Sequence, residues 1–228
     1  MMRLTKRDKA IINDLNRFRV MDRDSVAEIH FKNLKNPILA ANNVLLRLVR
    51  EGQIQRSKAF TPFVYLGPDV NMKKNSTKIG HFLAILDVYK EILQHGRLDT
   101  FLVEPKYTVG GQTKGNVEPD IFCIFRRTPF FIEVQKSIYS EKQMSDKLNR
   151  YVDLFQSGVI AGESWQPAEK KVFPHVLILS EQRYALDADY PFKVIQGPSF
   201  TQFLISLKPA VASNRTQAHN RSIKIKVN

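Results

Sequence analysis

Residues 118–136 read EPDIFCIFRRTPFFIEVQK, two apolar runs joined by a short basic turn, with Asp120 at the start and Glu133 near the end. A β-hairpin over these runs brings the two carboxylates to one edge of a sheet. Clustered carboxylate oxygens suit a hard divalent cation, and a metal held this way activates water for attack on a phosphodiester. In an extended strand Glu133 and Gln135 share one face, while Val134 and Lys136 share the other. Gln135, by hydrogen bonding, and Lys136, by charge if a bulge turns it, are therefore alternative groups for orienting the attacking water. The same carboxylates have a second, structural use. Asp120 can open its strand as a capping residue, and Glu133 can pair with Lys147 or Arg150.

The flanking sequence supplies a sheet and its helices. A helix from Ile79 to about Gly96 carries Phe82, Leu83, Leu86, Tyr89, Ile92 and Leu93 at helical spacing. On it, Glu91 is the candidate third carboxylate, with Asp87 one turn away as its alternative. Strands are expected at 100–109, 118–125, 129–135, 173–179 and 192–195, and helices at 140–156 and 199–207. Lys147 and Tyr151 lie one turn apart on the first of these, hence on one face, placed to contact phosphate or brace the site. The α-β-β-β-α-β order is that of a restriction-endonuclease-like core, a mixed central sheet with helices on both faces. An active site of this kind would use Mg²⁺ or Mn²⁺, held by Glu91, Asp120 and Glu133 with the Val134 carbonyl. His81 reads as a satisfied surface or core histidine, and no Cys or His spacing suggests zinc.

Residues 1–70 have a different organisation. Three helical patterns fill 5–51: the first opens with a Thr5/Asp8 capping box, the second near Asp22 or Asp24, and the third at Asn36-Pro37. On the third, Ile38, Ala41, Val44, Leu45 and Leu48 face inward. Asn36, Ala40, Asn43, Arg47 and Arg50 form the other face, and Asn and Arg are suited to reading base edges in a major groove. Two strand-like runs, 53–60 and 63–66, then form a hairpin carrying Arg56 and Lys58 for phosphate contacts. Together these elements predict a winged helix-turn-helix, in which Asn43, Arg47, Arg50, Arg56 and Lys58 bind DNA.

Charge follows the same division. The net charge is +13, and residues 1–70 hold 13 basic against 7 acidic side chains. Residues 71–207 are nearly balanced, at 17 against 15, while 208–228 hold 5 basic and no acidic side chains. Excess charge at the two ends is what a polyanion-binding protein needs. The expected organisation is a DNA-binding domain at 1–70, a polar linker at 71–78, a nuclease-like domain at 79–207 and a basic tail at 208–228. No apolar run approaches a membrane span, and none follows the basic N-terminus. With Cys123 the only cysteine, an intramolecular disulfide is impossible and a cytoplasmic protein is expected.

Three stretches resemble the replication-relaxation family of plasmid- and phage-encoded proteins. After the winged helix come GHFLAILDVYKEIL, EPDIFCIF and FFIEVQKSIYSEKQMSDKLNRY. The family's PD strand, E-x-D or E-x-x strand and K-L-x-x-Y helix correspond to Pro119-Asp120, Glu133 to Gln135, and Lys147, Leu148 and Tyr151. The resemblance implies a PD-(D/E)XK nuclease-like domain and a role in plasmid or phage DNA replication, relaxation or copy control, with double-stranded DNA as partner. Gln135 stands where an acidic residue or lysine is more usual, so the resemblance carries fold more firmly than catalysis. A metal-dependent, structure-specific DNA endonuclease is the first alternative. A homodimeric protein-interaction scaffold or transcriptional regulator is the second.

Overall fold

A computed structural model describes residues 3–110, 116–136, 139–186 and 189–207. It is an α/β structure with six α-helices, a three-stranded antiparallel sheet and a mixed five-stranded sheet. The basic tail 208–228 lies outside the described residues. Among the described residues, no helix is long and apolar enough to cross a membrane.

Helix α1 (Lys6–Phe18) starts where the sequence places it. Thr5 accepts from the Asp8 amide at 3.1 Å, and the Asp8 carboxylate accepts from the Thr5 amide at 2.8 Å. A short strand, β1 (Val20–Asp22), follows and is not marked by any sequence pattern. Helix α2 (Arg23–Phe31) is capped by Asp22, one of the two starts the sequence offers, which accepts from the Ser25 amide. Asn36 and Pro37 open α3 (Pro37–Arg50) as their chemistry requires. Strands β2 (Gln55–Ser57) and β3 (Val64–Leu66) complete the small sheet, in the order β1-β3-β2.

Helix α4 (Ile79–His95) leads into the large sheet. Its strands are β4 (Leu98–Val103), β5 (Ile121–Phe125), β6 (Thr128–Val134), β7 (His175–Leu179) and β8 (Val194–Gly197), side by side in that order. The first three are antiparallel, and β6, β7 and β8 are parallel. Parallel neighbours need a crossover. Helix α5 (Glu141–Ser157) supplies it between β6 and β7, and α6 (Phe200–Ser206) follows β8. Arg126 and Arg127 form the two-residue β5–β6 connection, both at positive φ (48° and 67°), a backbone shape that suits the strand twist but strains non-glycine residues.

Alternation along β6 assigns its two faces. Phe130, Ile132 and Val134 join the core that contains α4 and α6, while Phe131 packs with Leu148 and Tyr151 of α5. The first of these cores is continuous with the N-terminal elements. Phe18 of α1 lies 4.9 Å from the Tyr89 ring and 6.0 Å from Phe101, centroid to centroid. Arg17 covers the same three rings and donates to the Phe101 carbonyl at 2.9 Å. The exposed segment 71–78 therefore connects two sheets that share one interior.

Candidate functional site

The hairpin β5–β6 positions the two carboxylates. Its register pairs Ile121 with Ile132 and Phe122 with Phe131, so one further step sets Asp120 across from Glu133. Alternation puts both on the α5 face with Phe122 and Phe131. Asp120 Oδ2 accepts from the Val134 amide at 2.7 Å, and Oδ1 lies 3.2 Å from His81 Nε2 on the first turn of α4. Glu133 is 1% exposed. Its Oε1 accepts from the Tyr151 hydroxyl at 2.6 Å, and the Lys147 ammonium lies 2.5 Å from Oε2. That second contact is ionic rather than directional, since Oε2 receives no aligned hydrogen bond.

The electrostatics follow from burial and pairing. Burial pushes the Glu133 carboxyl up to about 7, the Asp120 charge adds to this, and the Lys147 ammonium and the Tyr151 hydroxyl work against it. Burial also works against the Asp120 carboxylate, but the His81 contact, the Lys147 charge and the Val134 amide outweigh it and hold Asp120 below the usual range. His81 is raised, chiefly by its bond to Asp120. Lys147 is disfavoured by burial, yet Glu133 and Asp120 overcome this and raise it. The result is a closed charge network of two carboxylates, an ammonium and an imidazole, braced by a buried phenol.

Two of the expected catalytic groups do not join it. Strand β6 ends at Val134, so alternation no longer constrains Gln135, whose amide donates to the Leu179 carbonyl at 2.9 Å. Gln135 and Lys136 instead line a cavity of about 910 Å³ beside α4, together with Asp87, Glu91, Glu181 and Ser199, and neither Asp120 nor Glu133 reaches it. Lys136 donates to the Gly80 carbonyl at 3.2 Å.

The expected third carboxylate is also elsewhere. Glu91 accepts from the amides of Phe200 and Thr201, at 3.2 and 2.8 Å, and so caps the start of α6. Asp87 pairs with Lys90 at 2.9 Å. Among the described residues, no three His, Cys, Asp or Glu gather in a group able to hold a metal. The donor chemistry of the pair itself does not fit a resident divalent ion. All four carboxylate oxygens of Asp120 and Glu133 already face Val134, His81, Tyr151 or Lys147.

The candidate nucleic-acid surface is revised in part. Asn43 and Arg50 are exposed on the outer side of α3, and Lys58 is exposed on the hairpin. Arg56 stacks over the Phe63 ring at 4.9 Å. Arg47 turns inward instead: its guanidinium binds Asp8 Oδ1 at 2.6 Å and lies 3.6 Å from Glu51. The buried α1 capping carboxylate draws it away from the outer face. Leu39 and Leu46 are 53% and 39% exposed beside Asn43 and Arg50, and Ile38, expected to face inward, is 38% exposed. Replacing Arg47 with Ala is expected to lower stability by about 1–3 kcal/mol, because Asp8 loses its charged partner. A fall in the urea midpoint with an unchanged slope is the signature to look for.

His81, read from the sequence as a satisfied histidine, finds its partner in Asp120. Its contact with Asp120 spans 39 positions in the chain, and no local spacing signals it. Comparison with protein families, with curated proteins and with solved structures gives no match to this chain.

Proposed function

We propose that this protein binds duplex DNA through residues 1–70 and that its larger unit is a nuclease-like domain that does not hydrolyse DNA. The supporting observation is the N-terminal arrangement. Three helices and a three-stranded antiparallel sheet follow the α-β-α-α-β-β order of a winged helix. The exposed side of α3 offers Asn43 and Arg50, and the adjoining hairpin offers Arg56 and Lys58. Asn and Arg suit base edges, and the hairpin cations suit phosphates. The motif resemblance to the replication-relaxation family agrees with this reading and suggests a role in plasmid or phage DNA replication, relaxation or copy control.

Replacing Asn43 or Arg50 with Ala is expected to cost about 1–3 kcal/mol of DNA affinity wherever a base contact is lost. Fluorescence anisotropy on a labelled duplex measures this, and unchanged affinity in both variants rejects the assignment of α3. If α3 binds protein instead, as exposed Leu39 and Leu46 would allow, affinity for DNA is absent from the outset.

A metal-dependent, structure-specific endonuclease is the second reading, favoured by Asp120 lying across from Glu133. Supercoiled and branched DNA incubated with Mg²⁺ or Mn²⁺ separates the two readings. Nicking by the wild type that disappears in Asp120→Ala establishes the second.

A further inference from the structure

We infer that the Lys147 ammonium is a tethered cation occupying the place where the Asp120–Glu133 pair would otherwise hold a divalent metal, so that removing it turns the pair into a metal-binding site. Two carboxylates on neighbouring strands, on one face, concentrate negative charge that must be compensated when buried. Glu133 is 1% exposed, and its Oε2 has no aligned hydrogen bond. The only charge balancing that oxygen among the described residues is the ammonium 2.5 Å away.

Lys147 is built to stay there. It lies on α5 one turn before Tyr151, whose hydroxyl holds the other oxygen of Glu133 at 2.6 Å. The Lys147 ammonium also sits 5.8 Å from the Tyr139 ring centroid, a face that favours cations. The side chain is 15% exposed, so its charge is little screened by water. A lysine therefore supplies the positive charge that a metal would supply, with no open coordination position to activate water. This inference rests on reading the larger unit as non-catalytic. That reading fails on metal-dependent nicking by the wild type, whereas this inference fails on metal binding by variants.

The test uses the full chain with Lys147→Ala and, to preserve apolar volume, Lys147→Met, each at about pH 8 so that a carboxylate rather than a proton can satisfy the site. Mn²⁺ alone is the probe, followed by loss of its free electron-paramagnetic-resonance signal and by melting temperature. The wild type is expected to bind no Mn²⁺ in an Asp120-dependent manner. Both variants are expected to bind about one Mn²⁺ per chain and to melt about 3–6 °C higher at roughly ten times the dissociation constant. Adding Asp120→Asn should abolish both effects. If a variant is unfolded without metal, recovery of its fold by Mn²⁺ counts as the same result. Absence of binding or recovery in both variants, or Asp120-dependent Mn²⁺ binding of equal affinity by the wild type, overturns the inference.

Discussion

Lys147→Met in metal-free buffer at about pH 8 should be less stable than the wild type by about 3–5 kcal/mol, the usual cost of stripping the partner from a buried charge. Glu133 would keep the Tyr151 hydroxyl and nothing to balance its charge. The deficit should depend on pH in a defined direction. Burial already pushes the Glu133 carboxyl from 4.5 to about 7 with Lys147 in place, and removing the ammonium raises it further. A carboxyl raised by folding binds more protons in the folded state, so stability falls as pH rises from the unfolded to the folded pKa.

The Glu133 contribution to wild-type stability should therefore fall between pH 4.5 and about 7, and in Lys147→Met it should continue to fall at higher pH. His81 and Glu104 are raised as well and act in the same direction. The contribution of Glu133 is thus the difference between the wild type and the neutral pair Glu133→Gln/Lys147→Met. Urea denaturation across this range gives the comparison. A Lys147→Met variant as stable as the wild type at every pH would show that the ion pair does not hold the site together.

Phe18→Ala should lose about 3–5 kcal/mol, as expected for deleting a large aromatic side chain from a packed interior. Phe18 is fully buried, and it packs against Tyr89 and Phe101, which belong to α4 and β4. Its removal should weaken both halves of the chain in one transition. Trp165, the only tryptophan, lies 5.1 Å from Phe122 and reports on the far side of the large sheet. Its fluorescence transition and the far-ultraviolet dichroism transition should move down together. If Trp165 kept its wild-type midpoint while helical signal was lost early, the shared interior would not be cooperative.

Local chemistry made much of this structure readable. Thr5 with Asp8 and Asn36 with Pro37 fix helix starts through bonds made within one turn. Alternation over 129–134 identifies the faces of β6, and the spacing of Lys147 and Tyr151 brings both to Glu133. What was not readable depends on partners distant in sequence. Arg47 is claimed by Asp8 across 39 residues, Glu91 by the α6 amides more than 100 residues later, and Asp120 by His81. Each of these side chains had a sensible local role that a longer-range partner displaced. Strand β1 is three residues long and gains its pairing only when β3 arrives.

The proposed binding of duplex DNA by the N-terminal unit is tested most directly by equilibrium anisotropy over a salt series from about 50 to 200 mM. The logarithm of the wild-type binding constant should fall linearly with the logarithm of salt concentration, because phosphate contacts release counterions. Replacing both Arg56 and Lys58 with Ala should make that slope shallower by about 2, because each is assigned to a phosphate. Absence of duplex binding at low salt, or binding whose salt slope is the same in the wild type and the double variant, would contradict the account.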